Sequence, residues 1–328
     1  MQTMKIGLVW FGWLFPVLVF AQRIDNTASF RQMSQPSFVR FHYDNDLFTG
    51  TDYYYTQGYQ LEVVNPALRK NPLTRLLLTT RGQEIQYGLA FEHFGFTPTS
   101  IRSRTVLVGD RPFAACLLLK TFSITIDTMR RTRISSTLST GMMGPVALGR
   151  QIQAGLHRLT NGIDPQGWPN QLHNDVILNY TLSYEKQLYA YRHALSVSAM
   201  GQAQVGTFSD RLQTGVVVML GRFDSPFRVR SADGRLPLQL YVYAQSVLSL
   251  VGYDASLQGG LFNRSSPYVM SAEELTRTTF QTNFGAVVSY RNVYLEYYQS
   301  GLSREFEGGH SHRWGGIKIG VNFDGSTR

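Results

Sequence analysis

The stretch Glu84-Ile-Gln-Tyr-Gly-Leu-Ala-Phe-Glu-His93 alternates between two kinds of side chain. One set is apolar or aromatic, and its members are Ile85, Tyr87, Leu89 and Phe91. The other set is polar or small. Successive side chains of a β-strand point to opposite faces, so this pattern predicts a strand with one apolar face. The same alternation recurs in the segments 178–185 and 317–323.

Aromatic residues and glycines are abundant, with 18 Tyr, 20 Phe, 4 Trp and 30 Gly among 328 residues. Alternating segments of about ten residues, flanked by aromatic side chains, are typical of an outer-membrane barrel. A soluble β-sandwich also alternates, but its second face meets solvent. The predicted strands are 37–46, 56–65, 84–97, 113–127, 133–144, 176–190, 193–206, 210–223, 238–250, 277–290, 293–303 and 313–323.

Segment 251–276 is ambiguous, because its first part could form another strand. Single-chain bacterial barrels have an even number of antiparallel strands, so we interpret this segment as a long external loop. Extension of the preceding strand beyond the membrane is compatible with this interpretation. The sequence therefore predicts an all-β fold, a transmembrane antiparallel β-barrel of about 12 strands with both termini on the periplasmic side.

The N-terminus has the features of a secretory signal. Lys5 precedes an apolar run over 6–20, and Ala21 provides a small residue at a cleavage position. The run is short for a membrane helix, although an uncleaved anchor is the alternative. We therefore expect a signal peptide over 1–21 and a single barrel domain over 22–328, located in the outer membrane of a Gram-negative cell.

The formal net charge is +9, and Cys116 is the only cysteine. A lone cysteine excludes an intrachain disulfide, and in an apolar run it is expected to be a small buried residue. Clustered basic runs are absent from the sequence and the chain is exported, so we expect no nucleic-acid partner. The charge suits an anionic lipid surface, or it only aids solubility. We expect a monomer.

One short helix is expected in the long connection between the fifth and sixth strands. Gly144-Pro145 ends a strand and can begin a helix. Gln153 and His157 are then four residues apart and lie on the same helical face. A polar pair on a helix of a β-protein indicates a site, although a structural histidine is the alternative.

Two other external connections carry polar residues that suit particular ligands. Hard oxygen donors suitable for Ca²⁺ occur in the first connection, namely Asp44, Asn45, Asp46 and Asp52. Asn and Asp also dominate plain turns. The second connection contains arginines suited to phosphate, or merely solvated at the rim, and these are Arg102, Arg104 and Arg111.

The sequence contains no Gly-x-Ser-x-Gly motif, so a serine nucleophile of that type is not supported. Hydrolysis could instead use His157 as a base on water, with a metal stabilising the oxyanion.

Several stretches occur in an order and spacing that resemble the lipid A 3′-O-deacylase family of outer-membrane barrels. They are Asn45-Asp46, Thr56-x-Gly58, Gly109-Asp110-Arg111-Pro-Phe-Ala, Gly144-Pro145 with Gln153 and His157-Arg158, and Trp168-x-Asn-Gln171.

This resemblance implies a site between the barrel wall and a loop helix, acting on lipid A of lipopolysaccharide. It implies that His157 is the general base and that Asn45 and Asp46 form the Ca²⁺ and oxyanion part. Thr56 and Gln153 would support them. The resemblance also assigns lipid phosphate contacts to Arg102 and Arg104, and it aligns an acidic residue with Asp164 across a gap. A phospholipase or esterase of different lipid specificity and a non-enzymatic barrel are the alternatives.

Overall fold

The computed structural model describes residues 36–51, 53–80, 82, 84–160, 162–228 and 236–323. The expected signal peptide lies outside them. The twelve strands of the described part are β1 Phe38–Asn45, β2 Tyr54–Val64, β3 Glu84–Thr97, β4 Ala114–Asp127, β5 Thr132–Met143, β6 Asp175–Tyr191, β7 Leu195–Gly206, β8 Ser209–Arg222, β9 Leu238–Asp254, β10 Thr278–Tyr290, β11 Val293–Leu302 and β12 His312–Asn322.

The strands form a closed antiparallel barrel in which each pairs with the next along the chain, and β1 pairs with β12. The pairing of the first and last strands runs from Phe38 opposite Asn322 to Asn45 opposite Gly315. Closure leaves no sheet edge unpaired, as a membrane-spanning sheet requires. The predicted barrel and its strand number are confirmed.

Polar faces of the strands meet inside the barrel, where they form buried ion pairs. Examples are Arg40 Nη2 to Glu62 Oε2 at 2.9 Å, Lys120 Nζ to Glu92 Oε2 at 2.8 Å, and Arg133 Nη2 to Glu185 Oε2 at 2.5 Å. Large apolar side chains lie exposed on the outer face, including Phe41, Leu61, Phe91 and Leu119. This inside-out distribution is the one expected when lipid surrounds the wall. Cys116 is buried in β4, as predicted.

The long β5–β6 connection contains the expected helix, α1, over Gly149–Thr160. A 3₁₀ helix over Pro145–Ala147 precedes it. Gly144 has φ of +95°, and a Cβ there would lie 2.6 Å from the Asn174 backbone nitrogen, so only glycine fits this turn. The helix lies at the end of the barrel predicted to be the external rim.

The segment 251–276 forms no additional barrel strand, as predicted, and its first four residues extend β9. β9 continues through Asp254, and a one-turn helix, α2, follows over Ala255–Gln258. The remaining 3₁₀ helices are Asp46–Thr49, Pro66–Lys70, Pro72–Leu76 and Trp168–Asn170. Within the described ranges, no helix has the length and hydropathy needed to cross a bilayer.

Candidate active site

The external end of β1 places an amide and a carboxylate side by side. Asn45 lies opposite Gln57 of β2 and Gly315 of β12. Its Oδ1 accepts a hydrogen bond from the Leu47 backbone N–H at 2.8 Å and caps the following 3₁₀ helix. Asp46, the first residue of that helix, is only 4% exposed. The predicted pair is therefore buried at the rim.

Asp44 belongs to a different environment, inside the barrel. The Tyr55 hydroxyl donates to Asp44 Oδ1 at 2.5 Å, and the Tyr298 hydroxyl donates to Oδ2 at 2.8 Å. His42 Nε2 lies 3.2 Å from the same carboxylate. Asp44 is consequently committed to an internal network rather than to the oxygen cluster expected from the sequence. Asp52, another member of that cluster, lies outside the described residues.

A β-bulge in β2 orients the next site residue. Tyr55 pairs with Phe96 and Gln57 pairs with Gly95, so Thr56 is the extra residue between them. Bulges re-aim side chains and recur beside active sites. Thr56 is 3% exposed. Gln57, which the sequence analysis missed, is also buried, and its Oε1 has no hydrogen-bond partner in the described part of the chain.

The bulge and α1 are joined by Gln153. Its Nε2 donates to Thr56 Oγ1 at 3.1 Å, while its Oε1 accepts from Trp168 Nε1 at 2.7 Å. Because the indole nitrogen can only donate, it fixes which end of the amide faces Thr56. Gln153 and Trp168 are both almost completely buried. Gln153 thereby connects both α1 and Trp168 to Thr56 of the barrel wall.

Close packing holds the start of α1 against the outside of β4. A Cβ added to Gly149 would lie 2.5 Å from both Ala115 Cβ and Trp168 Cη2. The Trp168 ring packs at 5.0 Å from that of Phe113, and both belong to a small apolar cluster with Ile101. The glycine therefore permits a contact that any larger residue would push apart.

His157 lies one turn beyond Gln153 and is partly exposed. Its Nδ1 is hydrogen-bonded to the Ile163 carbonyl oxygen. A carbonyl can only accept, so Nδ1 carries the proton of the neutral ring and Nε2 carries the lone pair. The helical rise places His157 about 6 Å further along α1 than Gln153. Any proton acceptance from a ligand at this position would therefore use Nε2.

The aligned acidic residue does not contact His157. Asp164 is exposed, and its Oδ2 accepts a hydrogen bond from Gln166 Nε2 at 2.5 Å. The Ile163 carbonyl instead orients the imidazole, so a backbone group has the role that the resemblance implies for an acidic side chain.

Arg102 and Arg104 are exposed on the loop beside this site. Two hydrogen bonds attach that loop to the segment following α1: Gln166 N–H to Ile101 O at 2.8 Å and Asn170 Nδ2 to Arg104 O at 2.8 Å. The loop that carries both arginines is thus attached to the segment that follows α1.

Arg111 differs from its expected place at the solvated rim. It is 1% exposed, is ion-paired with Glu305, donates to Ser256 Oγ at 2.6 Å and lies 3.9 Å from the Phe96 ring centroid. Burial raises the pKa of Glu305, and the neighbouring Arg111 opposes that shift. Glu305 lies 194 residues away in the sequence. The structure thus places Arg111 in an internal ion pair rather than exposed at the rim, and its role in substrate binding stays a prediction.

Metal ligands in this site would have to be mostly uncharged oxygens. No group of three or more His, Cys, Asp or Glu side chains suited to a metal occurs among the residues described. The buried Asp46 carboxylate, the Asn45 amide and the unpartnered Gln57 Oε1 are nevertheless hard oxygen donors close in the strand register. This chemistry fits Ca²⁺, which accepts carboxylate and amide oxygens.

A closed barrel with an apolar outer face and a polar site between its wall and a rim helix defines a membrane-embedded protein of the outer-membrane class. Residues 8–323 match the family model described as outer membrane protein LpxR, and the chain belongs to this family. It is the lipid A 3′-O-deacylase family indicated by the sequence motifs, which implies an acyl hydrolase in the Gram-negative outer membrane.

The fold is also similar to that of a solved LpxR structure. LpxR from Salmonella typhimurium aligns with a TM-score of 0.71 and 20% identity, covering 88% of this chain and 100% of that chain. The β-domain of the Bordetella autotransporter BrkA aligns with a TM-score of 0.42 and 8% identity, covering 88% of this chain and 99% of that chain. A comparison with curated protein sequences finds no match.

Proposed function

We propose that this protein is a Ca²⁺-dependent hydrolase that removes an ester-linked acyl or acyloxyacyl chain from lipid A. The observation that carries the proposal is the hydrogen bond that orients the His157 ring. Its Nδ1 is held by the Ile163 carbonyl, on a helix that Gln153 attaches to the wall. With Nδ1 used by that carbonyl, Nε2 is the ring nitrogen that would take a proton from water at the rim, where the outer leaflet meets the barrel.

His157 would act on water rather than through a protein nucleophile. Nε2 takes a proton from water while the water oxygen bonds to the ester carbonyl carbon. The tetrahedral intermediate then breaks its bond to the alcohol oxygen, and the imidazolium returns the proton to that oxygen. The products are a fatty acid and lipid A with a new hydroxyl group, so atoms and charge balance.

Asp46 and Asn45 would hold the metal, with Gln57 as a third oxygen donor from the adjacent strand. A bound Ca²⁺ would supply positive charge for the oxyanion that develops during hydrolysis. The Asn45 Oδ1 already accepts the Leu47 N–H and would use its second lone pair. Thr56 supports this arrangement by connecting the bulge to Gln153.

Substrate binding would combine charge at the rim with apolar surface below it. Arg102 and Arg104 are exposed and available to lipid phosphates. Acyl chains would remain beside lipid-facing residues such as Phe41 and Leu61, each more than 40% exposed. A site on the outer side of the wall lets the substrate approach laterally, without leaving the leaflet.

The test is mass spectrometry of lipid A from cells that express the wild-type chain or His157→Ala, each with added Ca²⁺. We expect loss of one acyl or acyloxyacyl group with wild type only, since removal of a general base costs about 10²–10⁴-fold. His173→Ala is a matched control, because that rim histidine hydrogen-bonds to Ser265 away from α1. Heat-modifiable migration checks folding of every variant.

Undiminished turnover by purified His157→Ala would refute the assignment of the base. Cleavage of glycerophospholipid vesicles with unchanged lipid A would move the substrate to another lipid class. A folded wild-type protein that hydrolyses neither lipid would favour a non-enzymatic barrel.

A further inference from the structure

The β2–β3 connection, at the end of the barrel opposite α1, forms an ordered element of its own. Its two 3₁₀ helices, Pro66–Lys70 and Pro72–Leu76, each begin with proline. Asn65 Oδ1 accepts from the Ala67 N–H at 2.9 Å, and Asn71 Oδ1 accepts from the Leu73 N–H at 3.1 Å. We call residues 66–80 the periplasmic strap.

The strap lies against the lipid-facing side of the wall. The Leu78 backbone N–H donates to Ser136 Oγ at 3.0 Å and to the Tyr180 hydroxyl at 2.9 Å. Arg133 of β5 and Glu185 of β6 form their ion pair inside the barrel. Ser136 and Tyr180 lie an odd number of residues from them on these strands and therefore face outward.

Beneath the strap, small polar residues of the outer face are buried. Ser123 is 1% exposed, Thr125 is 2% exposed and Ser136 is 0% exposed. On the uncovered outer face, Phe91 and Leu119 are each about half exposed. The strap thus covers polar wall that lipid chains would otherwise contact.

The outer surface of the strap exposes both leucines and cations. Leu73, Leu76 and Leu78 are 39%, 60% and 55% exposed. Arg69, Lys70 and Arg75 are also exposed. The sequence has no acidic residue between Glu62 and Glu84, so nothing within the connection neutralises this charge.

The height of the strap places these side chains in one leaflet. Ser136 lies four residues into β5, which corresponds to roughly 10 Å along the barrel axis for a tilted strand. An apolar band of about 25 Å surrounds such a barrel. The leucines therefore reach the periplasmic leaflet, with the cations at its head-group level.

We propose that the periplasmic strap is a binding site for an anionic phospholipid of the periplasmic leaflet. Arg69, Lys70 and Arg75 contact the phosphate, and Leu73, Leu76 and Leu78 contact the acyl chains. Basic side chains beside exposed leucines match the two parts of such a lipid. The site is independent of the hydrolysis proposed at the opposite rim.

The test titrates the detergent-purified full chain with fluorescent phosphatidylglycerol and competes it with unlabelled phosphatidylglycerol or phosphatidylcholine. The strap variant is Arg69→Gln/Lys70→Gln/Arg75→Gln. Its control is Arg192→Gln/Arg222→Gln/Arg291→Gln, which removes the same charge from exposed positions at the same end of the barrel. We expect the strap variant to bind phosphatidylglycerol at least about tenfold more weakly and the control to change less than about threefold.

Equal affinity of wild type and strap variant would overturn the proposal. So would an equal loss in the control, which would indicate general charge attraction, or equal competition by phosphatidylcholine. Leu76→Ser provides a second variant if the triple change prevents folding. It retains every charge and is expected to weaken phosphatidylglycerol binding several-fold, and unchanged binding would again overturn the proposal.

Discussion

Replacing Gln153 with leucine should loosen α1 from the barrel wall without disturbing the barrel. The leucine has a similar size but can neither accept from Trp168 Nε1 nor donate to Thr56 Oγ1. Both partners are buried, so water does not readily replace the lost contacts. The affected equilibrium is therefore the docking of α1, which carries His157.

The cost follows mainly from the Trp168 N–H. An unsatisfied buried donor costs about 1–3 kcal/mol, and each lost hydrogen bond adds about 1 kcal/mol. The Thr56 hydroxyl can rotate toward another acceptor and contributes less. A total of about 2–4 kcal/mol corresponds to a roughly 30- to 1,000-fold shift toward the undocked helix.

Hydrogen–deuterium exchange of peptides covering 149–160 measures this shift, and lipid A hydrolysis should fall in parallel by roughly 10²-fold because the base is misplaced. Gln151→Leu is the matched control, since Gln151 is exposed on the same helix. Trp168→Phe removes the donor of the Trp168–Gln153 hydrogen bond. The double variant should therefore lose less docking free energy than the sum of the two single variants. Protection of α1 within about threefold of wild type would refute this account of docking.

Two further changes test the metal ligands and the internal ion pair. Asp46→Ala should lower hydrolysis and shift the Ca²⁺ titration to higher concentration, because the one carboxylate of the proposed metal site is lost. Full activity of the wild-type protein in excess chelator would contradict the metal role. Glu305→Ala should destabilise the barrel by about 3–5 kcal/mol, because it leaves the buried Arg111 without its counter-ion. Urea unfolding followed by heat-modifiable migration measures that loss, with exposed Glu307→Ala as control, and a loss equal to that of the control would exclude this role.

Strands could be predicted from the sequence where one face contacts lipid and the other lines the polar interior. Apolar and polar side chains then alternate along the strand. The strand expected at 84–97 begins at Glu84 and ends at Thr97. β9 continues four residues past its predicted end, through Asp254, because strands can project beyond the membrane. Outside the bilayer the apolar face is no longer required, and the pattern that marks a strand fades.

Site residues could be predicted from the sequence where their spacing within one helix places them on the same face. Gln153 and His157 share a helical face through their spacing alone. The bulge at Thr56 had no such signal, since a single extra residue in a strand depends on the register of its neighbours. Gln57 was missed for the same reason. Arg111 could not be placed because its partner, Glu305, is brought near only by closure of the whole barrel.

Closure between β1 and β12 also determines when the site can exist. Thr49 Oγ1, in the turn that follows Asp46, donates at 2.9 Å to the Arg313 carbonyl, 264 residues away. Asn45 of β1 lies between β2, which is synthesised early, and β12, which is synthesised last. If the proposed site is correct, a chain whose β12 is still unpaired would lack the completed environment of Asn45 and Asp46, because the turn after Asp46 has not yet bonded to Arg313. Pairing of the last strand would then couple the proposed hydrolytic activity to closure of the barrel, so that an incompletely assembled chain would be inactive.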